Sequence, residues 1–449
     1  MLTLIRHICY SWDEPNETVS SDNNAIIFIF MKDETMIKKM TLAVLGFGQR
    51  GVVFSNVAKS YPDEIELVAA CEKNTHKHAW IKANYHLNEN QIYSDFDTFM
   101  NAGKLADILV ISTMDQDHHL HALKALEVGY DILLEKPIAL SKKEIFEIKD
   151  LANKLNRKIA VAHVLRYTHF YNEIKKLIDQ GVLGSIATLH QTENVGYLHY
   201  AHSFVRGNWH NSNTSSPMIL AKSCHDIDII RYLVGKRVEK ISSFGNLHYF
   251  KKENMPKDAA KNCIDCKVDC PFNAIQFYEE NPSWMAFFSL EKDAKKVLAN
   301  RNLNYGRCVY DMDNNVVDHQ VLNMQFEDGS SASFTMTAFS YETHRRIEIK
   351  GTKAELVGDL EDNVITVMPF GKTPFKIDIK ALTDDFSYHS GGDKNLLIDF
   401  VRAVRDNTSF LTDINYAVES HYLAFDAETS RLKQGLVIDT SKSWSDYER

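Results

Sequence analysis

The sequence predicts an α/β chain. Its N-terminal part is a doubly wound parallel sheet, and an α+β domain with a large, mainly antiparallel sheet follows. Three observations carry this prediction. A glycine-rich loop lies between an apolar strand and a helix, strands and helices alternate as far as residue 162, and the rhythm then changes to half-apolar strands separated by few helices.

The first strand is the apolar run Thr41 to Leu45, and the loop is Gly46-Phe47-Gly48-Gln49-Arg50-Gly51. A strand feeding such a loop into a helix turns backbone N–H groups and the positive end of the helix dipole outward, where a pyrophosphate can bind. Gly46 permits the tight turn, Gly48 lets phosphates approach the backbone, and Gly51 lets the helix pack on its strand. An ordinary βα turn with glycines is the alternative. The second strand, Ile65 to Cys71, ends at Glu72, where the adenosine ribose of a dinucleotide would lie. A carboxylate there accepts both ribose hydroxyls and repels a 2′-phosphate, favouring NAD over NADP. Lys73 beside it would offset part of that repulsion, and a solvated strand end is the plainer reading of Glu72.

Asp107 to Thr113 reads as a buried strand and His118 to Val128 as a helix. Asp131 to Leu134 is the next strand, followed by Glu135-Lys136-Pro137, a helix from about Ser141 to Leu155, and the strand Ile159 to Val161. This gives a dinucleotide-binding domain over residues 37–162. The second domain, 163–449, opens with a helix at Thr168 to Gln180. Its strands are Ile186 to Val195, Val316 to Phe326, Ser331 to Thr337 and Arg345 to Ile349, and helices at Asp393 to Arg405 and Tyr416 to Lys433 close the chain. Residues 1–36 stand apart as an extension: a poorly ordered arm, or a start assigned upstream of the natural one, since Met31, Met36 and Met40 precede the first strand.

At 449 residues, 44% hydrophobic and 25% charged, the chain can bury the cores of two domains. A net charge of -9 without a basic block argues against nucleic acid, and no apolar run approaches the length of a membrane span. Seven irregularly spaced cysteines fit a reducing, cytoplasmic setting.

With Glu135-Lys136-Pro137, the preceding Thr113-x-x-x-x-His118, the helix end Ala125-Leu126-x-x-Gly129 and the late Gly391-Gly392-Asp393, the chain resembles the glucose-fructose oxidoreductase, inositol dehydrogenase and rhizopine catabolism (Gfo/Idh/MocA) superfamily from Thr41 onward. The resemblance implies a Rossmann domain and a sheet domain whose face carries the substrate. It also implies oxidation or reduction of a hydroxyl on a sugar, polyol or related compound, and a homodimer or homotetramer formed through that sheet. It adds Thr113, His118, Glu135 and Lys136 to the cofactor site.

The proline after Lys136 disfavours helical geometry at the lysine and holds it extended near the strand ends. An ammonium there can stabilise alkoxide character at the reacting oxygen. Similar proteins place a histidine at the position of His225, ahead of Asp228, to take the hydroxyl proton, and an imidazole suits that role. They usually also carry an aspartate four residues earlier. Here that residue is Ala221, with Lys222 beside it as a second cation for the substrate; capping of the following helix is the structural alternative for His225. Arg166 and Tyr167, and Arg206 and Trp209 in the polar, aromatic segment Tyr197 to His210, are candidate sugar contacts. His199, His202 and His210 could instead bind a metal, or the segment could be a simple loop.

Cys263-x-x-Cys266-x-x-x-Cys270-Pro271 matches zinc-ligand spacing, with Cys308 as a fourth ligand to a structural zinc holding an insertion near 252–313. The same run resembles part of an iron–sulfur pattern, and reduced cysteines in a loop are the third reading. The primary functional expectation is an NAD-dependent dehydrogenase acting on a carbohydrate or cyclitol hydroxyl. The alternatives are a glycosidase that uses transient oxidation and elimination, to which Arg50 of the loop points, and a non-catalytic NAD-binding regulator, made conceivable by Ala221.

Overall fold

The computed structural model describes residues 38–285, 288–289 and 291–441. The expected N-terminal extension lies outside them. Six parallel strands form the first sheet: β1 (Met40–Leu45), β2 (Ile65–Cys71), β3 (Ile92–Tyr93), β4 (Ile108–Ile111), β5 (Asp131–Leu134) and β6 (Ile159–Val161). Their order, β3-β2-β1-β4-β5-β6, reverses direction at β1 and β4, and a crevice for a dinucleotide opens at such a switch point.

Both faces of this sheet are covered, so its strands are apolar at successive positions. On one face Ala43, Leu45, Leu109 and Ile111 meet Ala122, Ala125 and Leu126 of helix His118–Val128 and Ile145, Ile148 and Ala152 of helix Lys142–Lys154. On the other, Leu42, Val44, Ile108 and Val110 meet Phe54 and Val57 of helix Gln49–Ser60. Leu396, Leu397, Phe400 and Val401 of helix Gly392–Asp406 join that same cluster. A helix from the far end of the chain therefore belongs to the core of the first sheet.

The second sheet has nine strands: β7 (Ile186–Asn194), β8 (Val238–Asn246), β9 (His319–Phe326), β10 (Ser331–Thr337), β11 (His344–Gly351), β12 (Ala354–Asp359), β13 (Val364–Pro369), β14 (Phe375–Asp378) and β15 (Ile438–Asp439). They run in the order β14-β13-β12-β11-β7-β10-β9-β8-β15. Only β7 and β10 pair in parallel, and every other neighbouring pair is antiparallel. Strands β8 and β12 to β14 escape the sequence reading. Glycines and charged residues interrupt the apolar alternation of β8 and β12, and β3 and β15 are too short to show a period. Residues Ala201–Arg206, within the segment for which a simple loop was the alternative reading, form a buried π-helical turn. Among the described residues no helix is long and apolar enough to cross a membrane.

Candidate active site

β1 runs into Gly46 at φ +93°, where a Cβ would lie 2.7 Å from Ser112 O. At Gly51 a Cβ would come within 2.1 Å of Gly46 O, so only glycine lets this helix approach its strand. Gly48 differs: nothing lies within 4 Å of its missing side chain. That residue caps helix Gln49–Ser60 without a side-chain hydrogen bond, the first turn carries no acidic group, and Gln49 is exposed. The turn thus leaves amide donors and a positive dipole end facing an open cradle, which fits a pyrophosphate. Phe47 contributes its backbone only, because its ring is buried against Tyr85.

Glu72 is 7% exposed and accepts the amides of Phe47 (3.0 Å) and Asn74 (2.8 Å). The cation beside it is Lys77, 3.8 Å away and also donating to Phe47 O, whereas Lys73 points to solvent. Arg50 lies under the loop. Its guanidinium donates to Glu135 Oε1 (2.5 Å) and to Asp393, and it covers the Phe54 ring. Burial opposes its charge, but Asp393 and Glu135 more than offset this and raise its pKa. Thr113 Oγ1 lies 2.9 Å from His121 Nδ1. His118 is fully buried and braces the backbone, with Nδ1 2.6 Å from Pro137 O and Nε2 3.3 Å from Thr113 O. Its ring therefore holds Thr113 and Pro137 in place, where the sequence had suggested a cofactor contact.

Across from the strand ends, Lys136 Nζ donates to Ala221 O at 2.6 Å. Ala221 ends the short helix Met218–Ala221, and helix Cys224–Val234 begins three residues later, which places Lys222 and His225 beside the Lys136 ammonium. His225 is buried, and its Nδ1 has no hydrogen-bond partner among the described residues. Burial first, then the charge of Lys136, depresses its pKa well below the usual imidazole value, so the ring is neutral near pH 7. Burial also lowers the pKa of Lys222, and Glu193, 3.3 Å away, partly restores it. Glu193 in turn pairs with Arg345 (2.5 Å), which also reaches Asp226 at 3.1 Å. Burial holds Asp226 up at about 6 against the pull of Arg345.

Three of the predicted substrate contacts are engaged elsewhere. Arg166 forms a bidentate pair with Asp228 (2.7 and 2.6 Å), a partner that neutralises it inside the protein. Tyr167 donates to Asp399 at 2.7 Å within the core of the first sheet. Arg206 donates to the carbonyls of Arg307 and Phe272, both at 2.7 Å, and to Cys263 Sγ. Trp209 does face the first domain: its Nε1 is 3.2 Å from both carboxylate oxygens of Asp115, which also accepts Ser216 Oγ at 2.6 Å. His202 meets Tyr278 OH at 2.7 Å and His210 meets Gly207 O at 2.7 Å. The three histidines of this segment form no metal cluster among the described residues. Cys263, Cys266, Cys270 and Cys308, by contrast, line one cavity.

The sequence reading passed over His163, Glu193, Arg345 and Asp115. His163 is fully buried, its ring centre lies 5.9 Å from that of His225, and Nε2 is 3.2 Å from Ser420 Oγ. It follows β6 as Thr113 and Glu135 follow β4 and β5, and that shared position at a strand end was the signal available.

The cradle at the switch point and the cationic, histidine-bearing seam beside it define a two-domain oxidoreductase that binds a nicotinamide dinucleotide. The chain matches a family model described as the oxidoreductase family, NAD-binding Rossmann fold, over residues 40–163, and its C-terminal alpha/beta domain over 175–425. It belongs to the Gfo/Idh/MocA oxidoreductase family. YteT of Bacillus subtilis (strain 168), described as an oxidoreductase, is 23% identical over 68% of this chain and 74% of its own length. The D-glucoside 3-dehydrogenase of Escherichia coli (strain K12) is 27% identical, over 35% of this chain and 44% of its own. The fold is shared with an inositol dehydrogenase homolog from Azotobacter vinelandii, solved with NADH and myo-inositol. The TM-score is 0.66 at 15% identity, covering 90% of this chain and 98% of that one.

Proposed function

We propose that the protein transfers a hydride between NAD and a CH–OH carbon of a sugar, cyclitol or related polyol. The observation that carries this reading is the meeting of Lys136, Lys222 and a neutral His225 at one seam between the two sheets. The relatives that act on a glucoside or were solved with an inositol support the substrate class.

The loop amides at Gly48 to Arg50 would hold the pyrophosphate, Glu72 the ribose, and Thr113 and Glu135 the inner wall. When bound, NAD supplies the hydride acceptor. Lys136, turned from Ala221 O to the substrate oxygen, stabilises negative charge there as the carbon is oxidised. His225, kept unprotonated by its surroundings, accepts the hydroxyl proton. Lys222, anchored on Glu193, orients the same or the adjacent hydroxyl. Glu72 favours NAD over NADP because a 2′-phosphate would meet a buried carboxylate. A second copy of the chain would pack on the open face of the nine-stranded sheet, where cross-strand neighbours Phe244 and Val321 are exposed.

The test is a panel of sugars, cyclitols, polyols and aryl glycosides incubated with the protein and NAD. NADH formation that depends on one polyol class is the expected result. Release of an aglycone without net NADH, or tight NAD binding without turnover, would replace this reading by a redox-assisted glycosidase or a regulator.

A further inference from the structure

Two buried imidazoles stand side by side at the back of the seam, and each has one sealed ring nitrogen without a partner among the described residues: Nδ1 of His163 and Nδ1 of His225. Their ring centres are 5.9 Å apart, with the planes at 77°. Local structure brings them together. His163 follows β6, and helix Cys224–Val234 presents His225 and Asp228, three residues apart, on one face. His163 meets both, with Nε2 3.7 Å from Asp228 Oδ1.

The hydrogen bonds around His163 decide which nitrogen holds its proton. Ser420, in helix Ile414–Leu432, gives its own hydroxyl hydrogen to Ala417 O at 2.8 Å, so what Oγ offers His163 Nε2 at 3.2 Å is a lone pair. The Asp228 carboxylate on the same side is a second acceptor, and it would repel a bare nitrogen. Nε2 therefore carries the proton, and Nδ1 is an acceptor without a donor. For His225 the demand is the reverse. A neutral ring takes a substrate proton at Nε2 only if Nδ1 already holds one, and that buried N–H needs an acceptor. Among the described residues no carboxylate comes within 4.0 Å of either His225 nitrogen.

The two orphaned nitrogens answer each other. Ring nitrogens bonded directly bring ring centres to about 5 Å, and 5.9 Å exceeds that, so the contact runs through one water of the kind that joins buried polar groups. We propose that His163 is the positioning residue of His225: its bare Nδ1 accepts the His225 Nδ1–H across this water and holds the base in the tautomer whose Nε2 is free for the substrate. On oxidation the hydride leaves the carbon for bound NAD, the O–H proton passes to His225 Nε2, and the electron pair of the O–H bond closes the C=O bond. The imidazolium formed is opposed by Lys136 and Arg345, with His389 also facing it. Its Nδ1–H leads through His163 to Asp228, while Arg166, Glu135 and His421 face His163 from the remaining sides. The chain ends on a carboxylate, and a base oriented by a third group in this way is the general logic of catalytic triads.

This role rests on the hydride transfer proposed above, so the first test does not use turnover. In protein carrying isotope-labelled histidine, long-range proton–nitrogen correlation spectra distinguish Nδ1–H from Nε2–H rings, and the signals lost in His225→Ala and His163→Gln assign the two residues. His163 is expected as the Nε2–H form and His225 as the Nδ1–H form, with His225 shifting to Nε2–H in His163→Leu. An Nε2–H form of His225 in the wild type, or a His225 tautomer unmoved by His163→Leu, overturns the proposal whatever the substrate. The wild-type tautomers decide even where the leucine variant fails to fold or no polyol is oxidised. The second test uses the polyol that the protein does oxidise. His163→Leu should lower kcat roughly tenfold or more, with KM and NAD affinity near wild type. His163→Gln, whose side-chain carbonyl accepts in place of Nδ1, should recover most of that loss, and in a His225→Ala background His163→Leu should cost nothing further. Equal losses in the Leu and Gln variants, or losses additive with His225→Ala, would mean that His163 only supports the fold, and would overturn the assignment.

Discussion

Arg50 in the glycine loop is ion-paired through Nη2 with Asp393, 343 residues further along the chain, and Glu135 at the end of β5 accepts from Nε of the same guanidinium. Asp393 has no exposure to solvent, and the Arg50 guanidinium, with His389 Nδ1 at 2.7 Å, holds its carboxyl ionised against the cost of burial. Truncating one member of such a buried pair leaves the other uncompensated, at a cost of roughly 3–5 kcal/mol. Asp393→Ala should therefore lower the thermal midpoint and weaken NAD binding by loosening the loop. In a double-mutant cycle Arg50→Ala should then cost little more; strictly additive losses would mean that the pair is not coupled.

Lys136→Ala and His225→Ala should each reduce kcat by roughly 10²-fold or more, the scale of a lost general acid or base. The dissociation constant of NAD, measured by fluorescence, should stay near wild type. Near-normal kcat in His225→Ala would move the base to Lys222 or to a histidine of the 199–210 segment.

The pH profile gives a separate check. Burial and the nearby Lys136 depress His225, so its base form persists below the ordinary imidazole pKa of about 6.5. The wild-type rate should stay level from pH 7 into the acid range and fall only below that value. His225→Ala should lack this acid limb. A limb that survives the substitution belongs to another group.

Cofactor choice tests Glu72. Replacement by Ser removes a buried carboxylate anchored by two amides, so the NAD preference in kcat/KM should narrow, with Lys77 close enough to meet a 2′-phosphate. A wild-type enzyme that prefers NADP would assign Lys77 that role already.

Stability should also fall in acid. His163 and His421 are fully buried and held neutral, with pKa values lowered by burial to about 4 and about 3. The unfolded chain takes up these protons first, near pH 6.5, so the stabilisation is complete above that pH and is lost as pH falls towards 4. For His163 the loss is on the order of 3 kcal/mol. Urea midpoints between pH 7 and 4.5 measure it, and His163→Gln should flatten the slope.

Much of this architecture could be read from local sequence. The strand Ile65–Cys71 and the helix His118–Val128 carry apolar patterns whose ends coincide with the observed ones. The glycine loop was legible because Gly46 and Gly51 each answer a backbone demand. Lys136 and His225 were singled out through their motifs, and the fold brings them to one seam. Arg166, Tyr167 and Arg206 were assigned by residue type, and their partners Asp228, Asp399 and the carbonyls of Arg307 and Phe272 lie 62 to 232 residues away. Pairing over such separations leaves no mark on local periodicity. The same is true of Glu193 and Arg345, which meet only because β7 and β11 are neighbours.

Helix Gly392–Asp406 has a practical consequence for anyone recombining this enzyme. Cutting after β6 and grafting residues 38–162 onto a relative's second half would leave Leu42, Val44 and Phe54 facing a foreign helix, and Arg50 facing whatever stands in place of Asp393. The transplantable module is discontinuous: the first six strands travel with a segment borrowed from the far end of the gene, and hybrids that respect this seam should express and bind NAD where simple head-to-tail chimeras aggregate.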